Sequence, residues 1–147
     1  MLKSRKIAVI LGVVSALGAC SLLAWALLAP RLRAGRVDDL VAEANALLSP
    51  DLEGSTDLDD VDCDGAHALL QRAVDIDPRH GGARRLLPLA AGCSSLRRGD
   101  LILAEGELRT ASQQLQSDPR PQRWLGALEL AIGRPDRALE RYERALE

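Results

Sequence analysis

A run of alternating aspartates, Asp60-Val-Asp-Cys-Asp64-Gly65, contains the side chains of this chain best suited to bind a metal ion. It matches the opening of a calcium-binding loop, in which alternate carboxylates supply oxygen ligands and a glycine allows the sharp turn. The position that should carry a bidentate glutamate is Gln71. Asp62 and Asp64 also stand where a helix should begin, and carboxylates there cap free N–H groups. Calcium binding by Asp60, Asp62 and Asp64 and helix capping therefore both remain open.

Other chemistry is sparse in the sequence. The two histidines are His67 and His80, and the chain lacks a G-x-S-x-G motif, a P-loop and a Gly-rich dinucleotide turn. Glu105 and Glu107 would point to different sides of a helix, so they do not converge for acid–base catalysis. The cysteine spacing fits neither a zinc site nor a C-x-x-C redox motif. We predict that the protein is not an enzyme and uses no cofactor.

The charge distribution is uneven. The chain carries a net charge of −2, but beyond Arg36 its 21 acids face 13 arginines, and Val37 to Gln71 holds ten acids and no base. Such a surface repels nucleic acid, so we expect no nucleic-acid partner. Aromatic residues make up 2% of the chain and phenylalanine is absent. A core of Leu, Ala and Val suits close-packed helix pairs, which predicts an all-α fold.

The first quarter of the chain, 1–36, is typical of a membrane segment. After a basic tail, 1–6, an uncharged run spans 7–29 and is long enough as a helix to cross a bilayer. A basic juxtamembrane segment, 30–36, follows. A cleaved signal peptide is the weaker alternative, because the apolar run exceeds the usual length. Basic residues flank both ends, so only the free amino terminus and the short N-terminal tail favour an orientation with the C-terminal domain outside the cytoplasm. We expect a single-pass protein of the bacterial inner membrane.

One motif inside this segment supports a different anchor. Leu17-Gly-Ala-Cys20 resembles the bacterial lipobox, in which Cys20 would be lipidated and become the mature N-terminus. The residues after it, 21–29, stay apolar, whereas a lipoprotein usually begins with a polar tether. We therefore favour an uncleaved membrane helix and keep lipidation of Cys20 as the alternative.

A spacing of 34 residues recurs in the second half of the chain. The glycines at positions 92 and 99 return at 126 and 133, and so do the residues that follow them. The matching pairs are Gly92 and Gly126, Gly99 and Gly133, Ala104 and Ala138, Leu108 and Tyr142, and Ala111 and Ala145. A fixed period of this length is typical of a stacked helical repeat.

These residues resemble the tetratricopeptide repeat family, whose unit is a 34-residue helix–turn–helix. The resemblance covers 37–147 in three units of declining quality toward the N-terminus. The units are 37–78, interrupted by the acidic insert 49–64, then 81–117, and finally 119–147. The resemblance implies a short α-solenoid of about three helix pairs after the membrane helix.

In this family the first helix of each unit lines a concave groove that receives a peptide or a partner helix. Transferred by register, the resemblance predicts partner-binding residues on the second and third units. They are Leu86, Leu89, Cys93, Leu96, Arg120, Arg123, Ala127 and Trp124. Trp124 is a common hot-spot type, although packing within the last helix pair is the interpretation we favour. The lysine/asparagine clamp of some family members is absent, because the repeat domain has no lysine.

The implied stack has two further consequences. It makes the helices of Cys63 and Cys93 neighbours, so a disulfide is geometrically possible if the domain lies outside the cytoplasm, although two unrelated small buried cysteines are the more common case. It also leaves Leu139 and Leu146 open at the end of the stack. That end is either an interaction or dimerisation surface, or the mark of a shortened chain.

We therefore expect a membrane-anchored adaptor of the bacterial envelope that binds a protein partner. The alternative is a lipid-anchored or calcium-responsive assembly factor that uses Cys20 or the acidic insert.

Overall fold

The computed structural model describes residues 34–49 and 61–147 of the chain. Their secondary structure is helical throughout, which confirms the all-α prediction for this part of the chain. The helices are α1 at 34–47, α2 (Cys63–Ile76), α3 (Gly81–Arg97), α4 (Leu101–Gln114), α5 (Arg120–Ala131) and α6 (Pro135–Arg144). The chain divides into two units after Arg36, and Val37–Glu147 is one of them.

The turns within the last two helix pairs share one geometry. Gly99 between α3 and α4 has φ of 81°, and Gly133 between α5 and α6 has φ of 75°. Such positive values favour glycine, which has no Cβ to clash with the backbone. The next residue donates its N–H to a carbonyl five residues back, Asp100 to Ser95 at 2.9 Å and Arg134 to Glu129 at 2.8 Å. Both turns therefore close the preceding helix in the same way.

The two helices of each pair also meet at equivalent residues. A Cβ added to Gly92 of α3 would lie 2.7 Å from Leu108 Cγ on α4. A Cβ added to Gly126 of α5 would lie 2.7 Å from Tyr142 Cε1 on α6. Each pair thus packs a bulky side chain of its second helix directly on a glycine of its first. The 34-residue period of the sequence is accordingly also a period of the packing.

The core is formed by aliphatic side chains from all six helices. In α1 the buried residues recur every three or four positions, as one face of an amphipathic helix requires. They are Val37, Leu40 and Ala44, and together with Leu48, just after the helix, they belong to the same buried cluster as residues of α3 and α5. Helix α3 is central, because it packs against α2, α4 and α5. Burial of each leucine stabilises the fold by about 1.5–3 kcal/mol relative to an exposed one.

The membrane prediction falls on residues that the structure does not describe. Among 34–49 and 61–147, no helix combines the length and the apolar character needed to cross a bilayer. The expected membrane helix, 7–29, and the basic tail, 1–6, lie outside these ranges. The anchor therefore stays a prediction from the sequence.

Candidate interaction surfaces and the cysteine pair

The aspartates of the calcium-like motif are engaged with protein groups. Asp62 caps α2, since its Oδ1 accepts a hydrogen bond from the backbone N–H of Gly65 at 2.9 Å. Asp64 accepts from Ser94 Oγ and from Arg98 Nη1 of α3. Asp60 lies outside the described residues. Within the described chain, no group of three or more His, Cys, Asp or Glu side chains is arranged to hold a metal ion. The geometry of Asp62 is that of a helix cap.

The contacts of Asp64 join the start of α2 to the end of α3. Arg97, next to Arg98, donates from its guanidinium to the carbonyl of Val61, just before α2. Two adjacent arginines near the end of α3 therefore hold the backbone and a carboxylate at the beginning of α2. A cation near a helix C-terminus also interacts favourably with the helix dipole.

We expect Asp62→Ala to lower the free energy of unfolding by about 1 kcal/mol, because it removes the cap of α2. Asp62→Asn should preserve stability, since its amide oxygen can accept the same hydrogen bond from Gly65. Urea denaturation followed by circular dichroism, in calcium-free buffer and with added calcium, measures both variants. If Asp62→Ala lowered the free energy of unfolding only when calcium is present, the result would favour a metal site over a helix cap.

Cys63 and Cys93 are joined in the structure. Their Cα atoms lie 5.7 Å apart, within the range that a disulfide spans, and the two residues are separated by 30 positions. Both side chains are completely buried. The pair connects the first residue of α2 to the middle of α3, close to the contacts of Asp64. Covalent and polar links therefore fasten α2 to α3 at one end.

Most of the predicted groove residues are buried. Leu86, Leu89, Cys93 and Trp124 belong to the core cluster, and Leu96 packs against it. Leu89 and Cys93 have no exposed surface, so a partner could not contact them in this arrangement. Trp124 lies where the packing interpretation places it. Four of the predicted residues keep part of their surface accessible: Leu96, Arg120, Arg123 and Ala127.

Arg120, also predicted to face a partner, instead joins the first described helix to α5. Its Nη1 donates to Asn45 Oδ1 at 2.9 Å and to Ser49 Oγ at 3.3 Å. Its Nη2 lies 2.5 Å from Asp118 Oδ2, and both side chains are more than four-fifths buried. Burial raises the pKa of the Asp118 carboxyl, but the hydrogen bonds and charge of Arg120 outweigh it and leave that pKa below its ordinary value of 3.8.

We expect Asp118→Asn to lower the free energy of unfolding by about 1–2 kcal/mol at pH 7, since it leaves the largely buried Arg120 without its carboxylate. The folded-state pKa of Asp118 is depressed, so this stabilisation is present above pH 3.8 and is lost as the pH falls through the folded-state value. Denaturation curves of the variant and the parent should therefore differ at pH 7 and approach each other as the pH falls below 3.8.

The exposed pair of Glu105 and Arg109 on α4 provides the matched control. Glu105→Gln should change the free energy of unfolding by less than about 0.5 kcal/mol, because solvent screens this contact. If Asp118→Asn and Glu105→Gln lowered the free energy of unfolding equally, the Asp118–Arg120 contact would stabilise the fold no more than an exposed ion pair does.

The large exposed hydrophobic side chains of the described residues form two groups. Ile102 and Leu103, 91% and 53% exposed, lie at the start of α4 beside a shallow depression of about 840 Å³. The second group belongs to the last helix pair: Leu130, Ile132, Leu139 and Leu146. The sequence analysis predicted that Leu139 and Leu146 would be exposed at the end of the stack. The sequence also contained a signal for Ile102 and Leu103, because the apolar run from Leu101 to Ala104 is wider than the one buried face of α4.

The charge of Arg123 on α5 acts on the phenol of Tyr142 on α6. Burial raises the pKa of the Tyr142 phenol, and the positive charge of Arg123 opposes that increase. Between the same two helices, Arg141 Nη1 donates to Gln122 Oε1 at 3.2 Å. This hydrogen bond adds a polar contact to the Gly126–Tyr142 packing of α6 on α5.

The predicted lipidation site, Cys20, lies outside the described residues. Comparison of the chain with protein-family models, with curated proteins and with solved structures finds no match. The functional assignment therefore depends on the sequence and on the geometry described above.

Proposed function

We propose that this chain is a membrane-anchored helical-repeat adaptor of the bacterial envelope, which binds other proteins and performs no chemistry on them. The observation that supports it is the recurrence of close helix packing at a 34-residue period, in Gly92–Leu108 and in Gly126–Tyr142. Stacked helix pairs of this kind serve widely as extended binding surfaces. The membrane part of the proposal rests on the apolar run 7–29 in the sequence.

The partner-binding surface in this proposal is the outside of the helix pairs. The predicted groove residues Leu89 and Cys93 are buried, whereas Ile102 on α4 and Leu146 after α6 are almost fully exposed. Single exposed hydrophobic residues are common, but contiguous groups of them mark interaction sites. The adaptor therefore contacts its partner through α4, through the last helix pair, or through both.

Site-specific photo-crosslinking in native membranes tests the adaptor function. A benzophenone amino acid is placed at Ile102, at Leu139 and, as a control, at the exposed Arg72 on α2. We expect adducts of one defined mass from an apolar position and none from Arg72. Absence of a discrete adduct at both apolar positions, or equal diffuse labelling at all three, would contradict the proposal.

The anchor is tested by intact mass and by extraction. We expect the uncleaved chain, retained in the membrane pellet after washing with sodium carbonate. A chain that begins at Cys20 with added acyl mass would replace the membrane helix with a lipid anchor. Release of an unmodified chain by carbonate would contradict both anchors.

A further inference from the structure

The last helix pair has an apolar surface that no described residue covers. We call it the terminal strip: Leu130 and Ile132 at the end of α5, and Leu139 and Leu146 in and after α6, with exposed fractions of 51%, 37%, 61% and 88%. Most of the large exposed hydrophobic residues of the described chain are thus concentrated in 18 positions near its end.

Three leucines of the strip can be placed from their positions on the pair, whereas Ile132 follows Leu130 by only two residues and does not share its face of α5. Leu139 lies on α6, and Leu146 lies two residues after that helix ends, seven positions further along the chain. Leu139 precedes Tyr142 by three residues, and Leu130 follows Gly126 by four. Both leucines are therefore about one turn from the Gly126–Tyr142 contact, each on its own helix. The strip borders the seam between α5 and α6 rather than the core, which α6 enters through Ala138.

Carboxylates border the strip along α6. Asp136 precedes Leu139 by three residues and Glu143 follows it by four, so both are its neighbours on the helix surface. Glu143 also precedes Leu146 by three residues, and Glu147 is the next residue after Leu146. The outer edge of the strip is therefore acidic.

The arginines of α6 lie elsewhere. Arg137, Arg141 and Arg144 fall on a different arc of α6, where Arg144 contacts Glu140 and Arg141 donates to Gln122. On α5, Arg123 precedes Leu130 by two helical turns, so this arginine shares the face of Leu130. The acidic edge is thus confined to the α6 side of the strip.

We infer that the terminal strip docks a basic amphipathic helix of a partner protein. Its apolar residues, spaced by three or four, would pack on Leu130, Leu139 and Leu146, and lysines or arginines along one flank would face Asp136 and Glu143. The inference rests on the proposed adaptor function and specifies its partner. An anionic membrane surface fits poorly, since amphipathic helices that bind one carry basic flanks. A second copy fits poorly as well, because its strip has the same acidic edge.

The test uses full-length protein in non-ionic detergent and two synthetic, fluorescein-labelled 18-residue peptides. Both form an amphipathic helix with leucines on one face; one carries lysines along a flank and the other carries glutamates there. Fluorescence anisotropy should show binding of the lysine peptide that is at least about tenfold tighter than that of the glutamate peptide, a difference of about 1.4 kcal/mol.

Paired variants locate the binding site. Leu139→Ser with Leu146→Ser should weaken binding of the lysine peptide about tenfold or more. Ile102→Ser with Leu103→Ser, which removes equally exposed side chains from α4, should leave the affinity within about twofold. These four side chains are largely exposed, so the substitutions spare the core.

A second pair of variants tests the acidic edge, with the same change in net charge in the test variant and in its control. Asp136→Asn with Glu143→Gln should weaken binding about fivefold and reduce its dependence on salt. Asp39→Asn with Glu43→Gln changes the charge equally on the exposed side of α1 and should have little effect.

Four results would overturn the inference. Equal affinity of the two peptides would remove the charge preference, and equal loss in test and control variants would indicate non-specific attraction to an acidic protein. A halved mass of Leu139→Ser with Leu146→Ser in light scattering would make the strip a contact between copies. Photo-adducts at Ile102 without peptide binding at the strip would refute this inference and leave the adaptor function intact. Peptide binding at the strip without photo-adducts in membranes would support docking at the strip and contradict the adaptor function.

Discussion

Replacement of both Cys63 and Cys93 by alanine should lower the free energy of unfolding by about 3–4 kcal/mol, the largest effect we expect from any change in this protein. The crosslink joins residues 30 positions apart, and closing a loop of that size restricts the unfolded chain by about this free energy. Since a small domain is stable by only about 5–15 kcal/mol, the loss should shift the urea midpoint clearly.

Urea denaturation followed by circular dichroism, with and without a phosphine reductant, checks this result. Reductant should destabilise the parent by the same amount and leave the double alanine variant unchanged. Two free thiols in the mass spectrum of unreduced protein, together with no effect of reductant, would show that the cysteines do not pair. A bond present in cells would also place the helical domain in an oxidising compartment.

Gly92→Ala should have the second largest effect, a loss of about 2 kcal/mol. A Cβ at this position would lie 2.7 Å from Leu108 Cγ and 3.1 Å from the backbone nitrogen of Leu108, so α3 and α4 would have to separate. Overpacking of this kind typically costs about 1–3 kcal/mol. Thermal and urea unfolding of the variant measure the loss.

Gly106→Ala on α4 is the matched control. Its Cβ would meet nothing within 4 Å, so the substitution should stabilise the helix by about 0.5–1 kcal/mol. The two substitutions make the same chemical change with opposite expected signs. If Gly92→Ala proved as neutral or stabilising as Gly106→Ala, the close approach of α3 and α4 would be incorrect.

The sequence predicted those features of the fold that depend on local or periodic constraints. Gly99 and Gly133 were recognisable because both turns need positive φ, and Ala104 and Ala138 because their positions allow only a small side chain. The period of 34 could be read because each of these constraints recurs at the same spacing. The helical character of the described chain followed from its lack of phenylalanine and its excess of leucine and alanine.

Contacts between distant segments were beyond sequence reasoning. The bond from Arg120 to Asn45 spans 75 positions, and no local pattern signals it. Register alone assigned Leu89 and Cys93 to an open groove, but whether a groove is open depends on how neighbouring helices close around it. The structure buries both residues. The apolar run 7–29 and Cys20 lie outside the described residues, so those predictions stand as the sequence left them.

The described residues on either side of 50–60, within the acidic insert, are both bonded to other helices. Ser49 accepts a hydrogen bond from Arg120, and the buried Val61 accepts one from Arg97 through its carbonyl. With both ends held, the loop-closure cost of a longer segment is only about 0.6 kcal/mol for each doubling of its length. Evolution could therefore lengthen or shorten 50–60 with little consequence for the helices. For the same reason, an epitope or fluorescent reporter inserted there should leave the domain folded.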